Sequence, residues 1–153
     1  MLVNAGVGAP AVVLGVAHER FGVRVPAYCL MTNHYHLFVE CPDGGISEAM
    51  HVIGSVFVRH TNQRHGREGP LFTDRFYAKP VTEDAYALRL VRYIHLNPLA
   101  FETPDRLRWY RWSSLRSYLG DCWVPEWLET ETLLRLYGGR SEFAECMFAD
   151  PDL

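Results

Sequence analysis

The hydrophobic positions of the first half of the chain switch between helical and extended spacing. An apolar stretch over 12–21 predicts a helix, and the apolar residues from about 27 to 40 predict a strand. The sequence CPDGG at 41–45 favours a turn, because proline and glycine both suit turn geometry. Apolar residues at helical spacing then predict a helix from 48 to about 64, with the Ser47 hydroxyl as its N-terminal cap.

The second half of the chain continues this mixture of patterns. The glycine-rich segment HGREGP at 65–70 predicts a loop, and 76–81 has the pattern of a short extended segment. Thr82, which two acidic residues follow, is a typical helix start, and Pro98 predicts the end of that helix. Helices and strands mixed in this way indicate an α+β fold.

Length and composition are those of an ordinary globular protein. The chain has 153 residues, and its 48% hydrophobic and 22% charged residues exclude general disorder. We predict a main domain over 1–121 and an acidic helical tail over 122–153 that forms a small cover. No apolar run reaches the roughly 18 residues of a membrane span, and 7–16 lacks the features of a secretory signal. A cytoplasmic protein without a membrane partner is therefore expected.

The net charge of −3 does not indicate a nucleic-acid-binding protein, but the charge is unevenly distributed. Counting lysine and arginine, 54–79 has five basic residues against two acids, 89–116 has six against two, and 122–153 has two against seven. A basic middle of this kind is typical of a phosphate-binding surface. Arginine dominates the basic residues and suits phosphate contacts, although a GC-rich genome would produce the same bias.

Two histidines, His34 and His36, lie in the predicted strand. Residues two apart in a strand share a face, so these imidazoles point to one side while Tyr35 points to the other. Two neutral imidazoles on one face can chelate a divalent metal. A pair of this kind also occurs as two satisfied polar residues at a strand end, so the motif alone leaves both interpretations open.

A second candidate pair, Tyr93 and Asn97, lies near the end of the predicted helix that Pro98 terminates. The two residues are four apart, so they share one helical face. A tyrosine oxygen can act as a nucleophile that forms a covalent intermediate, and an amide oxygen can bind a hard metal ion. The alternative is a half-buried helix tyrosine with Asn97 as a C-terminal cap.

Basic and aromatic residues alternate between 54 and 79. This mixture suits a single nucleic-acid strand, because arginines contact phosphates and aromatic rings stack on bases. The alternative is that the aromatic rings belong to the core and the arginines to a solvated face. The candidate DNA-binding residues in this segment and on the later helix are Arg59, Arg64, Arg67, Arg75, Lys79 and Arg92.

Together these elements resemble the REP-associated tyrosine transposases, within the single-tyrosine HUH transposases. The resemblance covers about 27–118 and rests on the order and spacing of four blocks. These are MTNHYHLFVE (31–40), NQRHGREGPLFTDRFYAKPV (62–81), YIHLNP (93–98) and YRWSSLRSYLG (110–120).

The resemblance implies a fold, a reaction and a set of site residues. The fold would be a ferredoxin-like antiparallel sheet with helices packed on one side, and 1–121 would be the catalytic domain. His34, His36 and Asn97 would hold Mg²⁺ or Mn²⁺, and Tyr93 would be the nucleophile. The substrate would be single-stranded, hairpin-forming DNA, which would be cut through a 5′-phosphotyrosine bond that frees a 3′-OH. Members of this group act as monomers or as homodimers.

The N-terminus departs from the family pattern. A first strand normally precedes the helix before the HUH strand, whereas MLVNAGVGAP at 1–10 has no strand pattern. We therefore expect a sheet without its first strand, which gene decay or a misplaced start codon would explain. The alternative function is a shortened relative that binds DNA hairpins without cutting them. A third function, in metal storage or structure alone, is disfavoured by the basic segments on both sides of Tyr93.

Overall fold

The computed structural model of the protein describes residues 8–31, 34–72 and 76–149. In these ranges the chain forms a two-stranded antiparallel sheet, seven α-helices and one 3₁₀ turn. In chain order the elements are α1 (Gly8–Phe21), β1 (Arg24–Leu30), β2 (Tyr35–Glu40), α2 (Ile46–His65), α3 (Asp84–Leu96), the 3₁₀ turn Asn97–Ala100, α4 (Pro104–Leu107), α5 (Leu115–Leu119), α6 (Glu131–Tyr137) and α7 (Arg140–Phe148).

The single strand predicted over 27–40 is wrong, because this segment is a hairpin. Leu30 pairs with Tyr35 across β1 and β2, and the Met31 N–H donates to the His34 carbonyl at 2.8 Å. Folding back lets the two halves of the segment satisfy each other's backbone groups, which one long strand would leave unpaired. Thr32 and Asn33, which directly precede the histidine pair in the sequence, lie outside the described residues.

Both faces of the hairpin are covered. One face packs against α1 and α2 through residues that include Tyr28, Leu37 and Val39. The other face packs against α3 and the C-terminal segments through residues that include Ala27, Cys29 and Phe38. The α+β class with an antiparallel sheet is confirmed, but helices lie on both sides of the sheet and not on one. The reason is visible in β1, whose consecutive residues are apolar and buried on both faces.

The two edges of the sheet differ. Next to β1, the Leu30 N–H donates to the Trp112 carbonyl at 2.8 Å, and the Val25 N–H donates to the Trp127 carbonyl at 2.8 Å. Next to β2, the described residues provide no paired strand, and the segment 76–81 that lies nearby is not part of the sheet. This arrangement fits the expected fold with its first strand missing, while 1–7 lie outside the described residues.

The helix boundaries lie close to the predictions, but α1 begins at Gly8, four residues before the predicted start, and the caps of α2 and α3 differ. Helix α2 begins two residues before the predicted start, at Ile46, so Ser47 lies inside its first turn and is not the cap. Gly45 takes the cap position with a φ of 76°, a left-handed conformation that glycine adopts without strain. Helix α3 begins at Asp84, with Glu83 and not Thr82 before it, and ends ahead of the proline as predicted.

The tail helices share a core with α3. Phe143 and Met147 of α7 are buried in the same cluster as Ile94 of α3, and the Phe143 ring stacks on Tyr118 at 4.8 Å. The tail is thus packed onto the helix that carries Tyr93. In the ranges that the structure describes, no helix is both long enough and apolar enough to cross a membrane.

His95 makes the folding stability depend on pH. The side chain is fully buried between Tyr118 and Phe143, and burial lowers its pKa from the ordinary 6.5 to about 3. Below pH 6.5 the unfolded chain gains a proton here that the folded chain does not bind. This contribution to the free energy of unfolding is therefore complete above pH 6.5 and falls by at most about 1.4 kcal/mol per pH unit towards pH 3.

Urea unfolding at pH 7 and pH 5 checks this prediction. We expect His95→Gln to remove about 2 kcal/mol of the stability difference between the two pH values. The matched control is His51→Gln, since His51 is an exposed histidine on α2. Equal pH dependence in the parent and the His95→Gln protein would contradict the assignment.

Candidate functional site

His34, His36, Tyr93 and Asn97 come together where the start of β2 meets the end of α3; we call them the His–Tyr cluster. The centroids of the His34 and His36 rings are 5.0 Å apart, and the His36 and Tyr93 centroids are 5.4 Å apart. Both contacts are edge-to-face. The strand therefore brings its histidines to the face that α3 covers, as the alternation of side chains requires.

Asn97 connects the end of α3 to the histidines. Its Nδ2 donates to the Tyr93 carbonyl at 2.8 Å, one helical turn back. Its side chain also lies near enough to the His36 ring to raise the pKa of that imidazole.

His36 is held in its neutral form. Burial lowers the pKa of His36 below its ordinary value, the nearby His34 lowers it further, and the Asn97 side chain acts in the opposite direction. Its Nε2 is buried and has no hydrogen-bond partner in the described structure. A buried imidazole nitrogen without a partner is unusual, and a metal ion would satisfy it.

The donor set of the cluster fits a divalent metal. Two imidazole nitrogens and an amide oxygen are neutral ligands of the kinds that such ions accept. The described residues contain no group of three or more histidine, cysteine, aspartate or glutamate side chains that could hold an ion. A metal at the cluster would therefore take the amide as a third protein ligand and keep coordination positions open for a substrate.

Tyr93 is accessible although it belongs to a packed helix. Its side chain is 56% exposed, whereas its neighbours Ile94 and His95 are buried. The helix thus turns the core residues inward and leaves the phenol on the surface beside His36. An exposed hydroxyl at this position can reach a polymeric substrate without any rearrangement of the core.

Two cavities lie on either side of the cluster. The first, of about 1010 Å³, is lined by residues that include His34, Arg59, Phe72 and Phe76. The second, of about 700 Å³, is lined by residues that include His36, Tyr77 and Lys79, and it shares Phe76 with the first. Exposed aromatic rings and basic groups therefore lie on both sides of the two histidines.

Some of the predicted basic residues line the two cavities, and others do not. Arg59 lines the first cavity and Lys79 the second, where its ammonium lies 4.9 Å over the Tyr86 ring. Arg64 and Arg67 are exposed around the end of α2 and line neither cavity.

Of the remaining two predicted basic residues, Arg92 is turned away from the cluster. The Nε of Arg92 donates to the Cys146 carbonyl at 3.0 Å, so this side chain is turned towards α7. Arg75 lies outside the described residues.

Two residues that contribute to this region, His51 and Ser114, were not predicted from the sequence. His51 lines the first cavity from α2, and no motif singled it out. Ser114 connects α3 to β1, because its Oγ lies 2.7 Å from His95 Nε2 and accepts a hydrogen bond from the Tyr28 N–H at 3.0 Å. The block at 110–120 contained Ser114, but nothing in the spacing indicated its partner.

Comparison with known proteins identifies the family of the chain. The sequence model of IS200-like transposases matches residues 11–97, which is more than half of the chain. The matched span contains all four residues of the His–Tyr cluster. No curated protein and no solved structure gave a significant match. The chain therefore belongs to the family of IS200-like transposases.

Proposed function

We propose that the chain nicks and rejoins single-stranded DNA through a covalent bond to Tyr93. The observation that carries the proposal is the contact between the Tyr93 and His36 rings at 5.4 Å, on the face where His34 also lies. A tyrosine nucleophile beside side chains that can bind a metal is an arrangement suited to phosphoryl transfer. The family match to transposases agrees with a reaction on DNA.

In the proposed step, the Tyr93 oxygen attacks a phosphorus atom of the DNA backbone. The O–P bond to tyrosine forms while the bond from phosphorus to the 3′ oxygen breaks. The phenol proton is released to solvent, and the leaving 3′ oxygen takes up a proton to become a free 3′-OH. The number of phosphoester bonds is unchanged, so the reverse attack by a 3′-OH reseals a strand without a nucleotide cofactor.

His34, His36 and Asn97 would hold Mg²⁺ or Mn²⁺ in this proposal. When bound, such an ion supplies Lewis-acid chemistry, which polarises a phosphate oxygen. The lowered pKa of His36 keeps its ring neutral and able to bind a cation. Asn97 has a second task, since its bond to the Tyr93 carbonyl fixes the amide against the last turn of α3.

The two cavities beside the cluster suit a single strand. Phe72 and Phe76 are exposed aromatic residues that offer faces for base stacking, and Arg59 and Lys79 offer phosphate contacts on either side. The resemblance to REP-associated tyrosine transposases makes a hairpin-forming strand the proposed substrate.

Covalent capture tests the function. The protein is incubated with Mn²⁺ and a hairpin-forming oligonucleotide taken from the DNA that flanks its gene, and the products are separated on a denaturing gel. We expect a 3′-end label to migrate with the protein, because the tyrosine holds the 5′-phosphate of the downstream fragment. A 5′-end label should instead appear on a shorter free strand, and EDTA should abolish both products.

The same assay separates the enzyme from its alternative. A protein that shifts the hairpin on a native gel but gives no adduct in Mn²⁺ or Mg²⁺ would contradict the proposal. Such a result would support the alternative function, in which the chain binds DNA hairpins without cutting them.

A further inference from the structure

A third cavity lies at the β1 edge of the sheet, whereas the histidines of the His–Tyr cluster belong to the β2 side. It has a volume of about 480 Å³ and is lined from the segment 109–127, with Ala11 and Tyr28 behind it. All four tryptophans of the chain line this one cavity: Trp109, Trp112, Trp123 and Trp127. We call it the tryptophan cleft.

Two of these indoles are exposed, while the other two form the wall. Trp109 is 64% exposed and Trp123 is 78% exposed, whereas Trp127 is buried and packs at 5.9 Å against Tyr28. The wall is fixed to the sheet, since the carbonyls of Trp112 and Trp127 accept hydrogen bonds from β1. Exposed large apolar side chains clustered at a concave site are typical of a binding surface.

The charge of the cleft is positive. Arg111 and Arg116 line it, and no acidic residue does. The guanidinium of Arg111 lies 5.4 Å over the Trp112 ring, and the Nε of Arg116 is buried without a hydrogen-bond partner in the described structure. Asp121 interacts electrostatically with Arg116, but both of its carboxylate oxygens accept hydrogen bonds of 3.0 Å from Arg108. Two arginines are therefore available for an anionic ligand.

We propose that the tryptophan cleft binds a second stretch of single-stranded nucleic acid. Bases stack on Trp109 and Trp123, and the phosphates between them contact Arg111 and Arg116. The cavity volume lies within the roughly 300–1,000 Å³ of small-molecule sites, so it accommodates a short stretch of the strand. The carboxylates of an acidic peptide would contact the arginines but would not stack on the two exposed indoles. A nucleic acid contacts both, so the cleft favours a nucleic acid.

This site does not depend on the His–Tyr cluster, and most of it lies beyond the span that matches the transposase family. In an enzyme that acts on single strands, it would hold DNA that flanks the reacting phosphate. The identification of the bound strand as the DNA that is cut rests on the proposed function. The binding itself is testable when no metal is present and no bond is cut.

Intrinsic fluorescence reports on this cleft selectively, because every tryptophan of the chain lines it. The full-length protein is titrated in EDTA with an unstructured thymidine oligonucleotide about ten nucleotides long, and tryptophan quenching is followed. We expect Trp123→Leu to weaken binding roughly 5- to 150-fold, which corresponds to one lost stacking contact. Trp123→Phe should retain most of the affinity, since phenylalanine still stacks.

Arg111→Ala should lower the slope of log affinity against log salt by about 0.7, as the loss of one phosphate contact requires. The matched controls are Phe101→Leu and Arg135→Ala, which remove an exposed aromatic residue and an exposed arginine outside the cleft. Both should bind as the parent does. His36→Ala should also leave the quenching unchanged, which separates this site from the proposed reaction.

Two results would overturn the proposal. The first is equal quenching and affinity in the parent, Trp123→Leu and Arg111→Ala proteins. The second is displacement of the oligonucleotide by polyglutamate at equal charge concentration, which would identify the cleft as a site for acidic protein segments.

Discussion

Replacing Tyr93 with phenylalanine is expected to abolish the covalent adduct, with a loss on the order of 10⁴-fold or more. The change removes only the phenol oxygen that would form the bond to phosphorus. Because the side chain is 56% exposed, the fold and the contact of the ring with His36 should be preserved. Denaturing gels with a 3′-labelled hairpin measure the adduct, and native gels check that DNA binding remains.

Tyr77→Phe is the matched control for this experiment. Tyr77 is 92% exposed and lines the cavity that contains His36, so it is a highly accessible phenol near the cluster. Adduct formation at the parental rate is expected for this variant. If Tyr77→Phe loses the adduct while Tyr93→Phe keeps it, the nucleophile has been assigned to the wrong tyrosine.

His36→Ala is expected to weaken Mn²⁺ binding by more than about 100-fold and to reduce adduct formation to the level seen in EDTA. The variant removes the buried Nε2 that has no protein partner, and it also removes the ring that Asn97 contacts. Calorimetric titration with Mn²⁺ measures the affinity without any DNA. Hairpin binding in EDTA should be nearly unchanged, since the proposed phosphate contacts are made by other residues.

His51→Ala provides the comparison within the same surface. His51 is exposed and lines the cavity that also contains His34, but it does not belong to the His–Tyr cluster. Its removal should leave Mn²⁺ affinity intact. Equal Mn²⁺ affinity in the parent and the His36→Ala protein would show that the metal is bound elsewhere.

The elements of the fold were largely predictable, because their signals are local. Apolar spacing located α2 and α3, and the proline at 98 gave the end of α3. The hairpin was missed because the segment 31–34 contains neither glycine nor proline, so the apolar residues before and after it looked like one strand. Asn33 is a common turn residue, but a single asparagine is a weak signal for a turn.

The site was predictable in its parts but not in its assembly. Spacing alone placed His34 with His36, and Tyr93 with Asn97, on common faces. The meeting of β2 with α3 depends on which faces pack together, and periodicity does not determine that choice. Arg92 shows the limit of charge counting, since its position on α3 directs it towards Cys146 and away from the cluster.

The tryptophan cleft was outside the reach of sequence reasoning for a similar reason. Trp109 and Trp123 are separated by a short helix and a turn, and only the docking of 112–114 on β1 brings them to one cavity. Aromatic residues spread over 15 positions have the same pattern as ordinary core residues. What distinguishes Trp109 and Trp123 is that they remain exposed in the folded protein, and the sequence alone does not show this.

The bond between His95 and Ser114 has a consequence for how such genes decay. The family-matching span ends at residue 97, yet the buried His95 Nε2 finds its partner at 2.7 Å beyond that end. A gene copy cut shortly after residue 97 would still be recognised as a transposase by its sequence. Its protein would lack Ser114 and would carry an unpaired imidazole behind Tyr93. A match to the family therefore does not show that a truncated gene still encodes a folded protein. We also expect residues 95 and 114 to change together among homologues that keep their fold.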